Sequence, residues 1–246
     1  MLLLLPPSET KRDGGAEGTA LDLAALSYSQ LTGQRKQAIA ALKVLSRNLG
    51  ASTGALGLGR TQRFEIDRNR VLGSSPVMPA LDRYTGVLYD ALDAATLSSP
   101  GREFADSHLV IGSALFGLLG AGDPIPAYRL SHNSRLPGLS LRRHWAPAIS
   151  AVLAGYDGML LDLRSESYVT LGPPPAGSWY LRVVSDDGTG RKVALSHFNK
   201  KGKGEFARAV VESGVDFRTV DELLAWAGDH GIRLTMGGAG ELVLEV

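Results

Sequence analysis

The chain opens on an unbroken apolar run, Leu2–Leu5, that stops at Pro6-Pro7. A run this short, ended by prolines, predicts a buried strand that starts the fold. Residues 11–19 are rich in glycine and charge and predict a loop. Apolar positions then recur at helical spacing. Leu21, Ala24, Ala25, Tyr28 and Leu31 predict a helix over 21–31. Ala38, Ala41, Leu42 and Leu45 predict a second over 34–48, with Arg35, Lys36, Lys43 and Arg47 around it. Residues 50–59, with four glycines, break the pattern.

Leu81, Tyr84, Leu88 and Leu92 predict a long helix over 79–97, and residues 141–153 another, kinked at Pro147. Further helices are predicted over 204–212 and 220–230. Short apolar runs predict strands at 109–111, 159–163, 180–185 and 192–198, with Asp186-Asp187-Gly188 as a turn between two of them. Residues 232–236 and 241–245 read as a hairpin around Gly237-Gly-Ala-Gly240. Strands and helices mix without a strict repeat or a Pro/Ser-rich linker. The expected fold is α+β: a single mixed-sheet domain over 1–246, with residues 20–80 as an N-terminal helical subdomain.

Composition narrows the function. The chain has 246 residues, 44% hydrophobic and 21% charged, with a net charge of +1. That balance excludes a globally basic coat, so any anion-binding surface is local. Cysteine is absent, which removes disulfides and thiol chemistry and fits a reducing compartment. The opening apolar run is shorter than the roughly 7–15 residues of a signal-peptide core. No stretch reaches the ~18 apolar residues of a membrane span. A cytoplasmic protein with no membrane partner is expected.

Three segments set a cation beside a strand end or a glycine. Ser8-Glu-Thr-Lys11 follows the first strand, where open α/β sheets bind ligands. Ser113 ends the strand at 109–111, Phe116-Gly117 opens a loop, and Arg129 can grip a phosphate or carboxylate through paired hydrogen bonds. Between Ser196 and Arg208, Lys200, Lys201, Lys203 and Arg208 stand against Glu205, a net of +3. A helix expected to start near Gly204 would there offer free N–H groups to an anion.

Other chemistry is thinly represented. The five histidines are scattered, without metal-ligand spacing, so no metal and no cofactor are expected. Gly54-x-x-Gly57-x-Gly59 matches neither a P-loop nor a dinucleotide fingerprint. Two readings remain open. In one, the cations contact nucleic-acid phosphates, with Tyr84, Tyr168 or Trp145 stacking on bases. In the other, Ser8, Lys11, Arg129 and Lys200 hold a nucleotide-like or phosphorylated small molecule, as binder or enzyme, with Glu166 or His197 as acid/base.

The order of these motifs resembles the YaaA family of bacterial peroxide-stress proteins. The likeness rests on Pro7-Ser8-x-x-Lys11, Tyr84-Thr-Gly86, Ser113-x-Leu-Phe-Gly117, Tyr128-Arg-Leu130, Trp145, Asp162-Leu-Arg-Ser-x-x-Tyr168, and Ser196 to Arg208. It implies a cytosolic protein that limits peroxide damage by lowering free iron, with a mixed α/β fold, a positively charged cleft and DNA binding. Lys11, Ser113, Ser196, Arg129, Lys200, Lys201 and Arg208 would then line the cleft, with Tyr84 and Tyr168 near it. It also implies a helix-hairpin-helix element, which needs a Gly-x-Gly-like turn; only Leu31-Thr-Gly33 separates the first two predicted helices. Three positions depart from the pattern. Asp162-Leu-Arg164 stands for Asn-Leu-Ala, Gly202-Lys203 for a small residue and Arg, and Val169-Thr170 where a lysine is usual.

Overall fold

The computed structural model describes residues 1–186, 192–193 and 196–246. Strand β1 (Leu2–Leu5) is followed by α1 (Thr32–Ser46), α2 (Leu49–Ala55) and α3 (Phe64–Arg70). Then come β2 (Met78–Pro79), α4 (Ala80–Arg83), α5 (Val87–Leu92) and α6 (Ser99–His108). A hairpin of β3 (Leu109–Ser113) and β4 (Gly117–Gly120) precedes β5 (Pro124–Ile125) and α7 (Leu141–Ala154). The chain continues through β6 (Leu160–Asp162), α8 (Glu166–Val169), β7 (Trp179–Asp186) and β8 (Lys192–Val193). It closes with α9 (Ser196–Ser213), α10 (Val220–Asp229), β9 (Leu234–Met236) and β10 (Glu241–Glu245).

The architecture is α+β around one mixed sheet of order β4-β3-β1-β6-β7-β10-β9, with β8 paired to β7. Strand β1 lies inside it, parallel to β3 and to β6, with Leu3 opposite both Leu109 and Leu161. That position explains the four consecutive leucines. A strand covered on both faces has no polar side to show, and all four are buried. Strands β4 and β9 run antiparallel at the two ends. Strands β2 and β5 form a separate two-stranded ladder.

Several predicted elements change. Residues 21–31 form turns and a single 3-10 turn at Ser29–Leu31. The Asp123 carboxylate accepts from the backbone N–H and hydroxyl of Ser27, at 2.9 and 2.7 Å, and Tyr28 is left-handed at φ 57°. Such local side-chain bonds draw the backbone away from a helix.

The predicted helix over 79–97 is broken between α4 and α5. The loop after β1 needs backbone partners there: Arg12 N–H donates to Arg83 O and Thr85 N–H to Thr10 O. Tyr84 is therefore extended, and Gly86 turns the chain at φ +99°. Residues 50–59, predicted as a break, contain α2.

The predicted strand over 192–198 survives only as β8, and the helix expected from Gly204 is already running at Ser196. Gly202 and Gly204 thus lie inside α9, and they do not offer a phosphate-binding turn. They stand where neighbours approach closely. A Cβ on Gly204 would collide with Leu88 O and stand 2.9 Å from Ala91 Cβ, and one on Gly202 would meet Val183 Cγ1 at 3.2 Å. The Asp186-Asp187-Gly188 turn lies outside the described residues at 187 and 188.

Candidate functional site

A cleft of about 820 Å³ opens where β1 and β6 end. Residues 6–10, following β1, form one wall, and residues 163–168, following β6, form another. The start of α5 and the cleft face of α9 complete it. Ser8, Tyr168 and Lys200 line the cleft, as do Glu166 and Lys203. Lys203 lies three residues after Lys200 and four after Asn199, so one face of α9 presents all three.

Beneath this lining lies a polar floor. Glu9, in the cleft wall, accepts from Arg129 Nη2 at 2.6 Å. Arg129 is 5% exposed, and its Nε has no hydrogen-bond partner among the described residues. Lys11 Nζ donates to Ser8 O at 2.9 Å and sits 4.1 Å from the Tyr128 ring centre. Tyr84, Tyr128 and Ser113 join in a buried chain of hydroxyls, each link 2.7 Å. Ser113 Oγ also accepts from the N–H groups of Leu115 and Phe116, holding the β3–β4 turn.

The other sequence candidates lie elsewhere. Lys201 pairs with Glu205 on the exposed side of α9. Arg208 donates to the carbonyls of Leu92 and Asp93, closing the end of α5. Trp145 is fully buried, and its indole N–H donates to Ala114 O at 2.8 Å, so it is a core residue. The side chains of Ser196 and His197 are outside the described residues. Among the described residues no three His, Asp or Glu side chains group as metal ligands. No described helix is long and apolar enough to cross a membrane.

Burial pushes Lys11 down to about 7 and Lys203 to about 8 from the usual 10.5. For Lys11 the sign of the linkage is clear. Between about 7 and 10.5 the unfolded chain holds a proton that the folded chain lacks. Stability therefore rises with pH across that window, and the gain is lost as pH falls to the folded value. Urea titrations between pH 7 and 10 should show this slope reduced in Lys11→Met. Equal slopes in both proteins would place the Lys11 amine in a water-like environment.

The departures at Asp162 and Arg164 are partners. Arg164 Nη2 donates to Asp162 Oδ2 at 2.6 Å and Nε to Oδ1 at 2.9 Å, with both side chains 1% exposed. Arg164 Nη2 also donates to Gly172 O at 2.9 Å. The two buried charges satisfy each other in a bidentate fork. Lys203, beside them, is left with one backbone carbonyl, Arg164 O, at 3.4 Å.

A glycine turn of the Gly-x-Gly kind is also present, between α2 and α3 and not between the first two predicted helices. Leu56 and Leu58 are buried and anchor it, while Gly57, at φ +63°, has open space where a Cβ would stand. Asn69 of α3 exchanges two hydrogen bonds with the Arg129 backbone, at 2.9 and 2.8 Å. The hairpin is thereby fastened to the cleft floor. Residues 31–72 carry eight Lys and Arg against Glu65 and Asp67, a net of +6 in a chain of +1. The signal was present in Gly57-x-Gly59, but it reads as a helix–helix turn only once α2 is recognised.

The family model described as peroxide stress protein YaaA matches residues 1–231. The UPF0246 protein of Corynebacterium efficiens is 46% identical over 237 residues, covering 94% of each chain. That of Corynebacterium glutamicum strain R is 43% identical over 238 residues, again 94% of each. That of Streptomyces coelicolor is 38% identical over 239 residues, 94% of this chain and 90% of the relative. With matches of this length and identity, the chain belongs to the YaaA family of peroxide stress proteins.

Proposed function

We propose that the protein serves in the peroxide-stress response by binding DNA without sequence preference, helping to limit oxidative, iron-linked damage. The observation that carries the reading is the set of exposed cations on the glycine-turn hairpin and the helix before it, Arg60 and Arg63 beside Lys36, Lys43 and Arg47 of α1, with bare backbone at Gly57. Such a surface neutralises phosphates and reads no base edges. Arg60 and Arg63 are exposed and make no ion pair among the described residues. The cleft mouth is less suited to a duplex, since Lys200 and Arg182 share it with Glu9 and Glu166.

Binding to a short fluorescent duplex, followed by anisotropy against salt, tests this. Arg60→Ala with Arg63→Ala should weaken binding to all sequences and reduce the log–log salt slope by about two. The pair Lys200→Ala, Lys201→Ala should change it less. Unaltered affinity in the Arg60/Arg63 variant would remove the hairpin from the reading. A larger loss in the lysine variant would return DNA to the cleft.

A second reading is favoured by the cleft itself: it holds a phosphorylated small molecule. Its volume falls within the usual range for ligand pockets, about 300–1,000 Å³. Hydroxyls of Ser8, Thr10, Ser165 and Ser167 line it together with the rings of Tyr89 and Tyr168.

A further inference from the structure

We propose that Lys203 is a reactive amine of the cleft and forms an imine with the carbonyl carbon of a phosphorylated aldose. The inference rests on the small-molecule reading of the cleft and adds a covalent step to it. Lysine is seldom buried without a partner, because the cost of stripping water from an ammonium is several kcal/mol. Lys203 is 4% exposed, yet it lines the cleft and makes no ion pair among the described residues.

The nearest candidate partner is already taken. Asp162 faces Lys203, but both its carboxylate oxygens are held by Arg164. What remains among the described residues is the single carbonyl of Arg164 at 3.4 Å and the face of Tyr180, 5.1 Å from Nζ to ring centre. An amine so placed is partly neutral near physiological pH, and it carries the lone pair that attack on a carbonyl requires. Arg182, Glu166 and Tyr180 are the other titratable groups around it in the cleft. Lys11 is the internal contrast. Its amine is held down further by burial, but it is sealed under the Ser8 and Glu9 carbonyls and does not line the cleft.

The ligand class follows from what surrounds the amine. Lys200, one turn away on α9, offers charge to a phosphate, with Arg182, which also pairs with Glu241 at 2.7 Å, at the same wall, and the serine and threonine hydroxyls match those of a sugar. In the step, the Lys203 nitrogen lone pair forms a bond to the aldehyde carbon. The carbonyl oxygen becomes a hydroxyl, taking a proton from the amine. That hydroxyl leaves as water with a proton from solvent, and a protonated imine remains. No oxidant or reductant is consumed.

The full-length protein incubated with ribose 5-phosphate and then sodium borohydride tests the step, because hydride reduces the imine to a stable secondary amine. One adduct per chain, mapped by peptide mass spectrometry to Lys203 among the seven lysines, is the expected result. Lys203→Arg keeps a charge at the position and should abolish the adduct. Unphosphorylated ribose should label at least tenfold less. Thermal shift with ribose 5-phosphate alone, without borohydride, reports occupancy separately. A shift without an adduct overturns the imine and leaves the small-molecule reading standing. Neither shift nor adduct overturns both. Label at Lys11, or spread over exposed Lys36, Lys43 and Lys201, also overturns the assignment.

Discussion

Asp162→Ala is expected to destabilise the protein by about 3–5 kcal/mol, the range for stranding one charge of a buried ion pair. Arg164 would keep its guanidinium in the interior with only Gly172 O as a hydrogen-bond acceptor. The converse change, Arg164→Ala, should cost less, because Lys203 faces the same carboxylate and can move towards it. The double replacement Asp162→Ala, Arg164→Ala removes both charges and should recover most of the loss. Urea denaturation of the four proteins forms a double-mutant cycle. Additive losses in that cycle would mean that the two side chains do not stabilise each other, and the bidentate pair would lose its role. The buried pair also isolates Lys203, so Arg164→Ala should make that amine more basic while leaving the cleft lining in place.

Gly204→Ala is the second change with a large expected effect, a destabilisation of about 1–3 kcal/mol or more. Alanine improves intrinsic helix propensity by about 1 kcal/mol over glycine. At this position steric collision outweighs propensity, because the added Cβ meets the Leu88 carbonyl, which belongs to the backbone of α5 and cannot rotate aside. Helices α5 and α9 must separate to admit it. Gly228→Ala in α10 is the matched control. It is exposed, it has open space at the Cβ position, and it should gain up to about 1 kcal/mol. Thermal unfolding of the two variants should move in opposite directions. A stabilised Gly204→Ala would show that α5 and α9 are less closely packed than described.

The parts of the fold written in local pattern are readable from sequence. Four leucines closed by two prolines read as a buried strand, and α1, α7 and α10 follow the spacing of their apolar residues. The breaks are not readable this way. Tyr84 has an ideal helical position, yet it leaves the helix because Lys11 and its neighbours, far earlier in the chain, need backbone partners. Leu21 to Leu31 keep helical spacing, yet a carboxylate from Asp123 competes for their backbone. In each case a distant segment overrides a correct local preference.

The cleft divides in the same way. Ser8, Lys200 and Tyr168 reach its lining from segments that stand out in the sequence for their position after a strand or in a basic run. Lys203 stands out there only as one charge among four. Its burial depends on close packing of α9, and its lack of a partner depends on Arg164 claiming Asp162. Arg208 and Lys201 belong to the same run but turn to other faces, because a helix distributes consecutive side chains around its axis. On α9 only residues three or four apart share a face, so Lys200 and Lys203 meet in the cleft while their neighbours in the run do not.

The central position of β1 also shapes how the chain must be assembled. Its two neighbours are residues 109–113 and 160–162, so the sheet cannot close around the leucines until most of the protein has left the ribosome. Long-range parallel pairing of this kind folds slowly, since the entropy of closing the intervening loops is lost before the contacts repay it. During synthesis Leu2–Leu5 remain without either strand partner, and Pro6-Pro7 close the segment directly. The same residues that secure the finished core therefore find both of their strand partners only late in synthesis.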